Sequence, residues 1–177
     1  MDAWKKAGTD LDKELIARRP CYLGLDLSTK LDLTAVCALF PPSHNDKKWR
    51  VDLKFYMPEV NLIHREKRDR VPYTRWRDDG YITTTPGDVI DYAFIRNDVN
   101  NYFAENYEVI EIGYDPWNAS QIAVQLKDDD GFNVIEVRQG IASMGEPTKE
   151  FEALIISAML DHGNNPVLTW MASNVSV

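Results

Sequence analysis

Two apolar runs, Cys21 to Leu27 and Thr34 to Phe40, lie on either side of the polar stretch Ser28-Thr29-Lys30-Leu31-Asp32. Apolar runs of this length around a short polar turn predict an antiparallel β-hairpin. Trp49 to Met57 then alternates Trp49, Val51, Leu53 and Phe55 against polar partners, after a loop containing Pro41 and Pro42. This alternation predicts a third strand, so the chain opens on a three-stranded meander. Residues 58–80 are polar with scattered aromatics, and Gly80 to Thr84 reads as a short strand.

Thr85-Pro86-Gly87-Asp88 has the form of a helix start, with Ile90, Phe94 and Phe103 on the buried side of a helix reaching about Asn106. Val109 to Tyr114 is a short apolar strand that runs into Asp115. Asn118 with Gln121 resembles a capping box, and Ala119, Ile122, Ala123 and Leu126 have helical spacing. Asp128-Asp129-Asp130-Gly131 closes that helix, and Phe132 to Val137 forms another strand. Pro147 is expected to start a last long helix with the stripe Phe151, Leu154, Ile155, Ala158 and Met159. His162 in its final turn and Gly163 beyond it read as the stop signal. The first 20 residues form an arm or short helix ending at Pro20. A meander followed by β-α-β-α fits an α/β fold: a mixed sheet with helices on both faces, in the order of the RNase H-like fold.

The 177 residues suffice for one domain with an appended arm. No stretch approaches the ~20 apolar residues of a membrane span, and no signal-like segment follows Met1. Two cysteines, Cys21 and Cys37, are too few for a disulfide framework and read as reduced strand residues. There is no Cys/His spacing suited to zinc. Lys and Arg number 20 against 28 acids, for a net charge of −8. That charge excludes a protein whose whole surface grips nucleic acid, but not a local basic patch or a carboxylate cluster built for metal.

Two acids stand out. Asp26 sits in the apolar first strand, where a charge is costly unless it is paired or holds a metal. The alternative is a strand-end residue capping the hairpin turn. Asp115 ends a strand just before a helix, where ligands bind in open α/β sheets, although Asp-Pro is also a common turn. If the two strands are neighbours, both carboxylates face a common point. Hard oxygen ligands suit Mg²⁺ or Mn²⁺, and two such ions about 4 Å apart can clamp a phosphodiester. Asp32 either supports this site from the next layer or shapes the turn.

The stretch from His64 to Asp79 holds Arg65, Lys67, Arg68, Arg70, Arg75 and Arg77, with Tyr73 and Trp76 among them. It reads either as a phosphate-contacting surface or as a solvated face of paired charges. The Asp128–Asp130 cluster reads as a solvated helix end, and His162 as a residue favoured by the helix dipole.

Several segments resemble the nuclease domain of the large terminase subunit of tailed bacteriophages and prophages. They are Cys21-Tyr22-Leu23-Gly24-Leu25-Asp26-Leu27-Ser28, Asp32-Leu33-Thr34-Ala35, Tyr114-Asp115-Pro116-Trp117-Asn118-Ala119, Gln139-Gly140, Pro147-Thr148-Lys149 and His162-Gly163-Asn164-Asn165-Pro166-Val167-Leu168-Thr169-Trp170-Met171. They occur in the family's order from about Cys21 onward. The resemblance implies an RNase H-like fold over 21–177 and a Mg²⁺- or Mn²⁺-dependent endonuclease with a two-metal site. Asp26 and Asp115 would be its catalytic, metal-holding carboxylates. It implies double-stranded DNA as substrate, cut from concatemers during genome packaging in the cytoplasm of an infected or lysogenic bacterium. The implied partners are the ATPase motor domain, the small terminase subunit and the portal.

Two departures shape the expectation. No Gly-x-x-x-x-Gly-Lys-Ser/Thr loop is present, so an ATPase domain is not expected in this chain. The family's third carboxylate lies after the stretch matched by Asn174-Val175-Ser176-Val177, so the nuclease domain is expected to lack its last segment. A catalytically incomplete prophage fragment that docks DNA or protein is therefore a competing reading. Asp26-Leu27-Ser28-Thr29 also resembles the first phosphate loop of actin-like kinases, but their second, Gly-rich loop and duplicated domain are missing. The His-Gly-Asn-Asn-Pro run argues against a resolvase of the same fold.

Overall fold

The structure is a computed structural model that describes residues 2–28, 33–60 and 62–175. Its spine is a mixed sheet of strands β1 (Pro20–Asp26), β2 (Thr34–Phe40), β3 (Trp49–Pro58), β4 (Ile82–Thr85), β5 (Glu108–Tyr114), β6 (Val134–Glu136) and β7 (Leu160–Asp161). The order is β4-β3-β2-β1-β5-β6, with β7 also paired to β3. β1, β2 and β3 are antiparallel neighbours, as the two apolar runs and the alternating third predict. β5 lies parallel to β1, and β6 parallel to β5. The short β4 extends the far edge in parallel with β3.

Helices cover both faces. Cys21, Leu23 and Leu25 of β1 point to one side, into a core shared with Val36, Phe40, Tyr56 and Ile112. That side is covered by α4 (Tyr92–Asp98), the π-helical turn Val99–Phe103 and α6 (Pro116–Val124), and the short α5 (Ala104–Asn106) leads from that turn to β5. Phe55 and Met57, one residue out of phase with Tyr56, pack on the opposite side. They meet α2 (Leu62–Asp69), α3 (Tyr73–Asp78) and α8 (Pro166–Ser173). A third cluster joins Trp4 and Ala7 of α1 (Asp2–Ala7) to Ile155 of α7 (Ile141–Ile156) and Leu160 of β7.

Four boundaries differ from the sequence expectation, each for a local reason. Thr85 belongs to β4, and Gly87 has φ +91°, so no helix starts there. Instead the Asp91 carboxylate accepts from the amides of Ala93 and Phe94 and starts α4 at Tyr92. α6 is capped by Asp115 rather than Asn118, with Pro116 in the first turn, where its missing N–H costs nothing. α7 starts at Ile141, six residues before Pro147, because the Ser143 hydroxyl accepts from the Gly140 amide at 3.2 Å and organises an earlier first turn.

The end of α7 is the fourth. Ala158 takes a left-handed conformation (φ 54°), and the Met159 amide bonds back to the Leu154 carbonyl at 2.9 Å. That is a Schellman stop. His162 is therefore not in a helix. It follows β7, is buried, and stacks on the Trp4 indole with ring centres 4.0 Å apart. Its Nε2 lies 2.8 Å from the Trp4 carbonyl oxygen.

Candidate functional site

β1 and β5 are the two central parallel strands, and their register pairs Gly24 with Gly113 and Leu25 with Tyr114. The next residues along are Asp26 and Asp115. Both acids therefore leave the sheet side by side at the same edge, where the strands' carboxyl ends open. This is the juxtaposition expected if the two strands were neighbours. The side chains of β1 alternate strictly, so Tyr22, Gly24 and Asp26 share the exposed face. Asp26 therefore carries no burial cost, and the argument from a charge inside the core does not apply to it.

Asp26 and Asp115 line one cleft of about 430 Å³, together with Ala35, Cys37, Gly113 and Gln139. Two glycines, Gly24 and Gly113, face each other across the strand pair and keep its floor low. Asp115 is held in place because its Oδ1 accepts from the Trp117 amide at 3.2 Å, capping α6. The helix-turn reading of Asp115 and the ligand reading are thus compatible, since one oxygen caps and the second remains. Arg138 and Gln139 flank Asp115 in the adjoining hollow. Sequence reasoning missed Arg138, although the Gln139-Gly140 pair that follows it was among the segments resembling the family.

Asp32 lies outside the described residues. Among the described residues, no group of three or more His, Cys, Asp and Glu is arranged to hold a metal ion. The two carboxylates still fit a Mg²⁺- or Mn²⁺-type ion. Such ions take one or two carboxylates and complete their shell with water and substrate phosphate oxygens.

The basic segment is divided by the fold. Arg75 and Arg77 are solvent-facing and pair with Asp79 and Asp78. Lys67 and Arg70 are exposed to solvent. Arg68 and Arg65 line a cleft, about 610 Å³ in volume, whose wall includes Asp26, Ser28, Tyr73 and Trp170. Arg68 pairs with Asp69, whose carboxyl that guanidinium holds below the usual range. Arg65 is only 3% exposed. Asp26 thus borders both clefts, with Asp115 on one side and the two arginines on the other.

Other candidates resolve into structural roles. Asp129 and Asp130 pair with Arg96, and Asp130 also accepts from Asn100. Asp52, read only as a polar strand position, is buried and accepts from the hydroxyls of Tyr102 and Tyr107, each at 2.7 Å.

A meander whose first strand is flanked in parallel by the next strand of a β-α-β run, with helices on both faces, defines an RNase H-like α/β domain. The chain belongs to the family described as terminase large subunit, endonuclease domain, which matches residues 1–177. It is 34% identical over 163 residues to the large terminase subunit of Enterobacteria phage HK97, covering 90% of this chain and 31% of that protein. It is 31% identical over 173 residues to protein YmfN of Escherichia coli (strain K12), covering 93% of this chain and 37% of that protein. The crystal structure of the HK97 bacteriophage large terminase superposes with a TM-score of 0.84 at 31% identity, over 98% of this chain and 35% of the other. The chain therefore spans about a third of the length of these relatives.

Proposed function

We propose that this chain is a metal-dependent DNA endonuclease that hydrolyses phosphodiester bonds at the cleft between Asp26 and Asp115. The observation that carries this reading is the register of β1 and β5, which sets two carboxylates at adjacent strand ends in one open cleft. Asp26 and Asp115 are the residues that would hold the Mg²⁺ or Mn²⁺ ions of a two-metal site. When bound, such ions lower the pKa of a coordinated water and stabilise both the attacking and the departing oxygen.

The chain's own contribution is positional. β1, hydrogen-bonded on both edges, fixes the Asp26 backbone. The cap on α6 orients Asp115 so that one oxygen faces the helix and the other is left for a ligand. The open side of the cleft admits a duplex backbone. In this reading the substrate is double-stranded viral DNA, cut from concatemers during packaging in the cytoplasm of the bacterial host. The working partners are the ATPase motor, the small terminase subunit and the portal. Residues 21–177 are the nuclease domain, and residues 1–20 an arm whose described part packs on it through Trp4, Ala7 and Ile16. Membership of a nuclease family disfavours the docking-only reading.

The test is plasmid nicking by the purified chain with Mn²⁺, Mg²⁺ or EDTA, beside Asp26→Asn and Asp115→Asn. We expect nicking only with the divalent ions and loss to background in each variant. Both should melt near the parent temperature, because Asp26 is exposed and Asn at position 115 keeps a cap acceptor. Full cutting by either variant would refute the assignment.

A further inference from the structure

Arg65 is the buried member of the basic segment, and its guanidinium has unmet donors. It is 3% exposed, and its Nε and Nη1 have no hydrogen-bond partner among the described residues. The guanidinium carbon lies 5.6 Å from the centre of the Tyr73 ring, a cation–π contact, and the guanidinium also bonds to the Tyr73 hydroxyl, which still leaves Nε and Nη1 unmet. The nearby Asp69 is engaged by Arg68, at 2.5 and 3.0 Å, and by the Tyr73 hydroxyl at 3.2 Å. An arginine cannot shed its proton to relieve burial. A buried guanidinium with unmet donors is costly, and the cost falls when an anion arrives.

We infer that Arg65 is a phosphate-binding residue, and that the cleft between the end of β1, α2 and α8 holds a backbone phosphate of the DNA strand next to the one cut. This rests on the nuclease reading above, because it takes the scissile phosphate to lie at Asp26 and Asp115. Asp26 borders both clefts. A strand crossing the end of β1 therefore sets one phosphate among the carboxylates and a neighbouring one against Arg65. Arg68, at the rim of the same cleft with its guanidinium half-exposed, adds long-range attraction. Arg75 and Arg77 take no part, being paired in solvent away from the cleft. The phosphate contact of the basic segment is thus one buried arginine rather than a charged face.

The test measures binding without cutting. A fluorescein-labelled duplex is titrated with the chain in Ca²⁺ and, separately, in EDTA, over a range of salt concentrations. Arg65→Gln should weaken binding about 10-fold and reduce the slope of log Kd against log salt by about one, the value for one lost phosphate contact. Arg65→Lys keeps the charge and should recover only part of the affinity. Arg77→Gln should change neither quantity. Unchanged affinity and slope in a folded Arg65→Gln protein would overturn the proposal.

If Arg65→Gln does not fold, the Hε resonance of Arg65 in the parent protein decides. It should shift as duplex is added, and an unmoved resonance at saturation overturns the inference. Inorganic phosphate forms a separate arm. If millimolar phosphate raises the melting temperature through Arg65 while duplex binding is insensitive to that residue, the site takes the free ion and the DNA assignment is wrong. The nuclease reading fails separately, if Asp26→Asn cuts like the parent whatever Arg65 does.

Discussion

Replacing Asp46 by Asn should cost this protein about 2 kcal/mol at neutral pH, and the loss should fade in acid. Asp46 sits in the loop before β3, nearly buried. It accepts from Arg19 Nη1 at 2.9 Å, Arg50 Nε at 3.0 Å and Arg50 Nη2 at 3.2 Å. Burial alone would raise its pKa. The hydrogen bonds from Arg50 and Arg19 outweigh that and bring it from 3.8 to about 2. At about 1.4 kcal/mol per pH unit, this drop is worth about 2 kcal/mol.

The sign follows from linkage. The unfolded carboxyl binds protons more readily than the folded one. The contribution is complete above the unfolded value of 3.8, about half gone by pH 3, and lost once pH falls through the folded value near 2. Urea denaturation of the parent and Asp46→Asn, followed by both tryptophan fluorescence and circular dichroism, gives the gap directly. It should be about 2 kcal/mol at pH 7 and about half that at pH 3. A gap that is negligible at pH 7, or undiminished at pH 3, would refute the reasoning.

Two further substitutions and a labelling experiment test the packing. A Cβ on Gly8 would lie 2.3 Å from Asn164 Oδ1 and 2.4 Å from His162 Cε1. Gly8→Ala should therefore cost about 1–3 kcal/mol and lower the melting temperature, whereas Gly145→Ala, in open space on α7, should raise it slightly. Equal melting temperatures would show that the seat of α1 is loose. Burial, and then the charge of Asp52, push the thiol of Cys21 up to about 12. Cys21 should resist iodoacetamide at pH 8 in the folded protein and react in urea. Rapid labelling of Cys21 in the folded protein would contradict its placement in the core.

The strands and the pair of acids were legible because each depends on a local pattern. Apolar runs around a polar turn give β1 and β2, alternation with period two gives β3, and an acid directly after an apolar run marks a strand's end. The adjacency of Asp26 and Asp115 stayed conditional in the sequence, because β2, β3, β4 and the helices α2 to α5 separate β1 from β5 along the chain. What could not be read were features set by distant partners. The six basic residues look alike along the chain, and only packing against Tyr73 and the floor of a cleft sets Arg65 apart from Arg77. Asp52 has the polar place in an alternating strand, yet two tyrosines some fifty residues away bury it. His162 carries a helix-end signature, but Ala158 has already stopped the helix, and the partner of His162 is Trp4 near the other end of the sequence.

The pairing of β1 with β5 joins residues roughly 90 positions apart in the chain. The hairpin that carries Asp26 can form early from local contacts, but its companion carboxylate arrives only when the later strand docks. A shift of that docking by one residue would turn Asp115 to the opposite side of the sheet. On the proposed nuclease reading, cutting competence would be withheld from every partly folded chain. A nascent or misregistered copy would carry each acid without the other, and would pose little hazard to the DNA around it.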